Sequence, residues 1–227
     1  KGVEQDTGLR MSEVIAQAAG VSVDKIAVIS GPNLAMEIAK AEPTASVAAS
    51  ESKKTAELVA ATATNEYFTT YINQDVIGTE FGGILKNLIA VAIGIVNGVG
   101  YGENTKASIM TRGLAEISRF AVAYGAQEGT MIGLAGLGDL IATCESPLSR
   151  NHKAGEMLGR GYSKREVLKQ MSQTAEGLAS VAPVLQLAAA KGVEMPIVEQ
   201  VLDVIEGRMD PADIAPHITN SGKPQGE

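Results

Sequence analysis

From Val76 to Asn97 the chain carries only two charges, Glu80 and Lys86. Ile77, Phe81, Ile84, Leu85, Leu88, Ala92, Ile95 and Val96 recur at i, i+3 and i+4 spacing, which predicts one long α-helix. It is apolar nearly all round, and a helix of that kind has to be enclosed by other elements. A length of 227 residues, 45 % hydrophobic and 20 % charged, supplies enough apolar side chain for such a core and speaks against disorder. The length fits one large domain or two small ones. The longest unbroken apolar run, Leu88 to Val96, is too short to span a bilayer, so the helix reads as a central buried one and no stable membrane insertion is expected. The opening KGVEQDTGLR has no apolar segment of the kind a signal peptide needs. It begins on Lys1 rather than Met, and its first residues read as the end of a segment already under way.

Before this helix the pattern alternates. Residues 8–19 have helical spacing, and the β-branched run 25–30 stops at Gly31-Pro32, as a buried strand entering a turn does. A helix over 33–41 follows, with Asn33 as its N-cap and Pro43 as its breaker. A strand over 44–50, a helix over 52–64 and a strand over 67–72 complete the signature of an open α/β sheet. After Asn73 no strand is predicted. Helices are expected over 104–124 and near 149–160, 163–171, 176–191, 194–206 and 210–217, with Gly161, Gly192 and Gly207 at C-terminal caps. The boundary falls near residue 74, with an α/β remnant over 1–73 and an all-α domain over 74–227. The tail 219–227 is expected to fray.

Composition narrows the function classes. Lys+Arg number 19 against 26 Asp+Glu, a net charge of −7, which argues against broad nonspecific nucleic-acid binding. A single cysteine, Cys144, excludes an internal disulfide framework and Cys-based zinc sites. His152 and His217 are far apart in sequence, so no metal site is legible. Aromatics are 4 % while Gly numbers 25, a balance that lets helices approach closely.

Three segments could carry chemistry. In GGILKN, Gly82 to Asn87, Lys86 lies among Ile84, Leu85, Leu88 and Ile89, so it must snorkel, pair or face a cavity. Gly82, Gly83 and Ala90 keep its face small, which leaves room for a ligand beside the ammonium. A lysine partly removed from water has a lowered pKa, suited to general acid–base work. On residue type alone the plainer reading, one exposed lysine on an amphipathic helix, is preferred. GLAGLGDL, Gly133 to Leu140, is G-x-x-G-x-G rather than G-x-G-x-x-G and follows no clear strand, so it is not a dinucleotide fingerprint. Asp139 and Thr143 share a face if that stretch is helical. They either present a carboxylate and a hydroxyl to a site or belong to a tight turn with an Asp cap. Cys144 reads as a core thiol. SPLSRN, Ser146 to Asn151, opens a helix. A helix N-terminus flanked by Ser149, Arg150 and Asn151 suits phosphate, and it equally describes a Ser-capped helix with a surface Arg. SGPN at 30–33 ends a strand, where open α/β sheets bind ligands, or is a plain turn. TAEG at 174–177 caps the helix that follows.

Taken in order, these segments resemble the bacterial-type NAD(P)-dependent glycerol-3-phosphate dehydrogenases. The resemblance runs through KGVE at 1–4, SGPNLAMEIA at 30–39, the stretch from Asn73 to Ile117, GLAGLGDLIATCESPLSRN at 133–151, TAEG at 174–177 and VEMPI at 193–197. It implies a Rossmann domain, of which 1–73 is the C-terminal part, followed by a helical substrate-binding and catalytic domain over 74–227 similar to that of 6-phosphogluconate dehydrogenase. It implies reversible hydride transfer between NAD(P)H and dihydroxyacetone phosphate, giving sn-glycerol 3-phosphate for glycerophospholipid synthesis in the cytoplasm. The cofactor is NAD or NADP, no metal is used, and a homodimer is implied.

The same resemblance makes Lys86 the proton acceptor for the C2 hydroxyl and the donor in reverse. Asp139 holds substrate near Lys86, with Thr143 in support, and Lys1 touches both substrate and cofactor. Gly31, Asn33, Ser149, Arg150 and Asn151 match substrate contacts. Ala35, Arg150, Thr174 and Glu176 match cofactor contacts. Asn33 stands where the family usually has Ser or Thr. The family's G-x-G-x-x-G loop and early βα units are absent from these residues, so the chain looks truncated and, taken alone, is expected to be inactive. The preference between NADH and NADPH is not legible. Two other readings stay open: a noncatalytic helical dimerisation or binding fragment, and a related dehydrogenase of the same architecture with another substrate.

Overall fold

Alternating apolar runs before residue 74 become a small mixed sheet with its helices. The computed structural model describes residues 2–4, 7–171 and 175–215. They pack as two units, Lys1–Lys86 with Ile117–Ala142, and Asn87–Glu116 with Thr143–Glu227. The strand-to-helix change near residue 74 is a change of element type, whereas the line between the packed units runs through helices.

The first unit opens on α1 (Met11–Ala19), a 3₁₀ turn at Val23–Lys25, and β1 (Val28–Ser30). β1 is shorter than the sequence predicts: Lys25 ends a 3₁₀ turn and the ladder with β2 begins only at Val28. After α2 (Ala35–Ile38) come β2 (Thr44–Ala49), α3 (Lys53–Ala63) and β3 (Phe68–Asn73). The helix expected over 33–41 is confined to α2, and its N-cap is Leu34 rather than Asn33, because the chain leaving Pro32 stays extended through Leu34 (ψ 116°). The sheet order is β1-β2-β3. β2 and β3 are parallel with Thr44 opposite Phe68, and β1 is antiparallel to β2 with Val28 opposite Ala49. Ser52 caps α3 by accepting from the Thr55 N–H at 3.3 Å. Val47, Ala49, Val76 and Ala135 form a buried cluster with Val28 and Leu134 against it.

The long apolar helix is α4 (Val76–Val99), followed by α5 (Glu103–Ala123), α6 (Glu128–Met131), a π-helical turn at Leu134–Gly138, and α7 (Asp139–Glu145). By length and by a mean hydropathy of 1.6, α4 does reach what a bilayer crossing requires, contrary to the shorter run expected. Of that stretch 83 % is buried inside the protein, which accounts for its composition as a core helix. The Asp75 carboxylate caps its start, accepting from the Gly78 N–H and, with its other oxygen, from the Gln127 N–H before α6, both at 2.8 Å. Glu80 accepts from the Ser12 N–H at 2.9 Å and from the Ser12 hydroxyl and Arg10 guanidinium, each at 2.6 Å. That carboxylate anchors the start of α1 at the end where the helix dipole favours an anion. Phe81, Phe120 and Tyr124 cluster with centroids between 4.9 and 5.4 Å apart, Phe120 stacked on Tyr124 and Phe81 edge-on to Phe120.

The second unit adds α8 (Arg150–Gly159), α9 (Lys164–Gln170), α10 (Glu176–Ala190), α11 (Pro196–Ile205) and a 3₁₀ turn at Pro211–Asp213. Gly161, Gly192 and Gly207 take φ of 90°, 64° and 72° just past three helix ends, as expected of C-terminal caps. The helix expected over 210–217 is a 3₁₀ turn and a short continuation; residues 216 and beyond lie outside the described residues. α4 and α8 pack closely. A Cβ on Gly94 would stand 2.9 Å from the Gly155 Cα, and one on Gly98 would stand 2.9 Å from the Gly159 Cα. The converse distances, from Gly155 and Gly159, are 3.0 and 2.9 Å. Two G-x-x-x-G faces thus meet backbone to backbone. Glu116, 1 % exposed, accepts from the Ile197 N–H at 2.9 Å and caps α11.

Ser163 and Glu166 form a capping box at the start of α9, and the Ser163 hydroxyl and N–H hold the Glu166 carboxyl below its usual value. A lowered pKa in the folded state means that the cap's contribution is present above the ordinary carboxylate range and lost as pH falls through the folded value. Amide protection in the first turn of α9, taken relative to the intrinsic exchange rate at each pH, should fall on acidification through that range, and Glu166→Gln should remove this pH dependence of the protection. Unchanged pH dependence in the variant would exclude Glu166 as its source.

Candidate active site

Lys86 is the only cation on α4, and burial forces it to find a partner. It is 7 % exposed and Asp139, the first residue of α7, is 2 % exposed. The ammonium donates to the Asp139 carboxylate in a buried, hydrogen-bonded ion pair. The reading of one exposed lysine on an amphipathic helix is therefore set aside, because a lone ammonium there would carry an uncompensated desolvation cost. The G-x-x-G-x-G segment is a π-helical turn, which carries one extra residue per turn and ends as Asp139 enters α7. The room expected beside Lys86 at Gly82 is filled: a Cβ there would stand 3.0 Å from the Ala135 carbonyl carbon and 3.3 Å from the Gly136 Cα. At Gly82 the absent side chain thus accommodates protein backbone.

The Ser30–Asn33 turn belongs to the same unit. A Cβ on Gly138 would lie 3.7 Å from the Pro32 ring, so the turn packs beside the residue preceding Asp139. Gly31 is buried at φ 142°, a conformation side-chain-bearing residues rarely adopt, and a Cβ there would stand 2.9 Å from the Ser46 hydroxyl. Asn33 is half-buried and Ala35 is exposed at the start of α2. A cavity of about 230 Å³, lined in part by Ser30, Thr79, Glu80 and Ile84, opens nearby. The buried Ser30 and Thr79 hydroxyls have no hydrogen-bond partner among the described residues. Ser30 belongs to the SGPN segment that the sequence singles out, whereas Thr79 was missed, since a hydroxyl inside an apolar helix pattern carries no local signal.

In the second unit Thr143 is buried one turn after Asp139 along α7. Ser149 caps α8, accepting from the His152 N–H at 3.2 Å, and Arg150 is exposed at the first helical position. The Cys144 carbonyl accepts from His152 Nδ1 at 2.6 Å, which fixes the imidazole proton on that nitrogen and ties the start of α8 to the end of α7. Asn151 is buried, and its side-chain oxygen accepts from the Gly177 N–H at 2.9 Å. That oxygen thus holds the first turn of α10 beside the start of α8, with exposed Glu176 next to it. Lys1 and Thr174 lie outside the described residues. The helix start at Ser149–Asn151 supplies free N–H groups, a positive dipole end and a guanidinium, a donor set suited to a phosphate.

A nicotinamide dinucleotide fits these residues only in part. Among the described residues no strand-to-helix turn is glycine-rich and opens a long helix: Gly31 leads into four-residue α2, and β3 leads into α4 past Asp75. No group of three or more His, Cys, Asp or Glu suited to a metal ion occurs among the described residues.

Comparison with known proteins bears on both units. The family profile described as NAD-dependent glycerol-3-phosphate dehydrogenase C-terminus matches residues 75–216, and the corresponding N-terminus profile matches residues 1–56. The chain is 68 % identical over 227 residues to a glycerol-3-phosphate dehydrogenase (NAD(P)+) of Leifsonia xyli subsp. xyli, covering 100 % of this chain and 62 % of the relative. It is 50 % identical over 226 residues to that of Thermobifida fusca, covering 99 % and 67 %. The crystal structure of glycerol-3-phosphate dehydrogenase from Coxiella burnetii superposes with a TM-score of 0.90 at 37 % identity, covering 97 % of this chain and 67 % of that one. The chain thus spans about two-thirds of the length of these relatives.

Proposed function

Because the chain belongs to the NAD-dependent glycerol-3-phosphate dehydrogenase family, we propose that it carries the acid–base and phosphate-binding groups for reversible conversion of dihydroxyacetone phosphate to sn-glycerol 3-phosphate. The observation that supports this most is the buried Lys86–Asp139 pair inside an otherwise apolar helix. Bound NAD(P)H would supply the hydride in the reductive direction, and bound NAD(P)+ would take it up in the oxidative one. Lys86 does the complementary work. Its ammonium donates to the C2 carbonyl oxygen, stabilises the alkoxide as charge builds there, and gives up the proton that makes the hydroxyl. In reverse the amine takes that proton. Asp139 compensates the buried ammonium and fixes its direction, and Thr143 supports that site.

The substrate phosphate takes the α8 start, with Arg150 as its fork and Ser149 and Asn151 beside it. Gly31, Asn33 and Lys1 complete the substrate contacts. Ala35, Arg150, Thr174, Glu176 and Lys1 are the residues of this chain assigned to the cofactor. Residues 1–73 are then the C-terminal part of the NAD(P)-binding domain, and 74–227 the substrate-binding and catalytic domain. Family membership supports the accompanying parts of the reading: a homodimer, a cytoplasmic location and a role in glycerophospholipid synthesis.

In protein expressed from the complete reading frame, Arg150→Ala should raise the KM for dihydroxyacetone phosphate about 10- to 100-fold, the worth of a charge-assisted hydrogen bond. Its Tm should barely move, since the side chain is exposed. An unchanged KM would remove Arg150 from the phosphate site.

A further inference from the structure

Two contacts join α4 to the π turn and α7, and they lie one helical turn apart on both sides. Gly82 meets Ala135 and Lys86 meets Asp139, each pair separated by the same 53 positions in the chain. The interior of a buried helix is a costly place for glycine, so position 82 needs a reason. A Cβ there would fall well inside contact distance of the Ala135 carbonyl oxygen, with the carbonyl carbon at 3.0 Å and the Gly136 Cα at 3.3 Å. Gly136 is equally constrained from the other side, where its Cβ would stand 2.6 Å from the Met131 Cα. Gly138, in the same turn, has ordinary space: the nearest atom to a Cβ there is 3.5 Å away.

We propose that Gly82 is a positioning residue for the proton-transferring pair. Its missing side chain sets how closely the π turn approaches α4 one turn before Lys86, and thereby where the Asp139 carboxylate meets the ammonium. The inference rests on the reading of Lys86 as the acid–base group. Gly82→Ala forces the turn back by roughly 1 Å, since the Ala135 carbonyl oxygen, the nearest atom, must return to an ordinary contact distance. Misplacement by about 1 Å costs up to ~100-fold in rate. Glutamate at position 139 adds a methylene, about 1.5 Å of reach, which spans the gap so opened.

The test compares kcat, KM and Tm for the wild type, Gly82→Ala, Asp139→Glu and the double variant, all from the complete reading frame. Gly82→Ala should lower kcat about 10- to 100-fold, with the KM for NAD(P)H within about two-fold. Asp139→Glu alone should also lower kcat, because the longer acid has no space in the native register. The double variant should regain at least about ten-fold in kcat over Gly82→Ala without a rise in Tm, a coupling that independent sites do not show. Gly138→Ala should leave kcat unchanged. If Gly82→Ala gives no folded protein, Ala135→Val takes its place, since its added methyls press on Val47, Ala49 and Val76 and displace the same turn. Unaltered kcat in the folded variant, or an Asp139→Glu loss that is the same in both backgrounds, overturns the proposal. Lys86→Met run in parallel separates the failures. An active Lys86→Met variant sinks the acid–base reading itself, and an inactive one beside a fully active Gly82→Ala sinks only the role of Gly82.

Discussion

Lys86→Met, in protein expressed from the complete reading frame, should lose at least ~100-fold in kcat for NAD(P)H oxidation by dihydroxyacetone phosphate. That is the lower end of what positioned proton transfer contributes, about 2.7 kcal/mol of barrier. Met keeps the length and apolar stem of the lysine, so the packing among Leu85, Leu88 and Ile89 survives. Its cost in stability comes from Asp139, which is left as a buried carboxylate without its cation, a loss of roughly 3–5 kcal/mol. Lys86→Met combined with Asp139→Leu should therefore regain part of that stability while turnover stays absent. Retention of more than about a tenth of wild-type kcat in Lys86→Met, a loss of only ~1.4 kcal/mol, would contradict the assignment.

Gly155→Ala should destabilise the protein by at least ~2 kcal/mol, although helix propensity alone predicts a gain of up to ~1 kcal/mol. The sign is set by backbone contact. A Cβ on Gly155 would stand 3.0 Å from the Gly94 Cα, and no flexible side chain is there to yield. In a chain of this size the loss corresponds to a Tm lower by about 4–8 °C. Gly129→Ala is the matched control: nothing lies within 4 Å of a Cβ there, so its Tm should hold or rise. A Gly155→Ala protein as stable as the wild type would show that α4 and α8 are less closely joined than described. Because α8 begins at Ser149–Asn151, the same variant should also weaken dihydroxyacetone phosphate binding.

The parts of the fold that were legible follow from periodicity and termini. The apolar spacing from Ile77 to Val96 required a buried helix, Ser52 marked the start of α3, and Gly161, Gly192 and Gly207 marked three helix ends. The parts that were not legible depend on partners distant in the chain. Asn33 has the composition of an N-cap, yet the extended backbone after Pro32 moved the helix start to Ala35. The Asp75 carboxylate serves both the start of α4 and Gln127, 52 residues away, which no local pattern reports. The G-x-x-x-G spacings at 94–98 and 155–159 were visible as spacings, but only their meeting gives them meaning.

The candidate site divides in the same way. Lys86 was conspicuous because an isolated cation in an apolar helix violates the hydrophobic pattern. For Asp139 the residues alone left a site carboxylate and a turn cap equally open, and only the resemblance set it near Lys86; the π turn brings the two into a buried ion pair. Asn151 read as a short hydrogen-bonding group at a helix start, and nothing local reported that its side-chain oxygen accepts from the Gly177 N–H, 26 residues away.

The measurement that bears most directly on the central claim is the rate of NAD(P)H oxidation on adding dihydroxyacetone phosphate to protein expressed from the complete reading frame. The account predicts turnover within the ordinary enzyme range, about 1–10³ s⁻¹. It also predicts a sharp preference for dihydroxyacetone phosphate over dihydroxyacetone, because the Arg150 helix start is the proposed phosphate site. Absence of substrate-dependent oxidation of either NADH or NADPH, or equal rates with the unphosphorylated ketone, would contradict it.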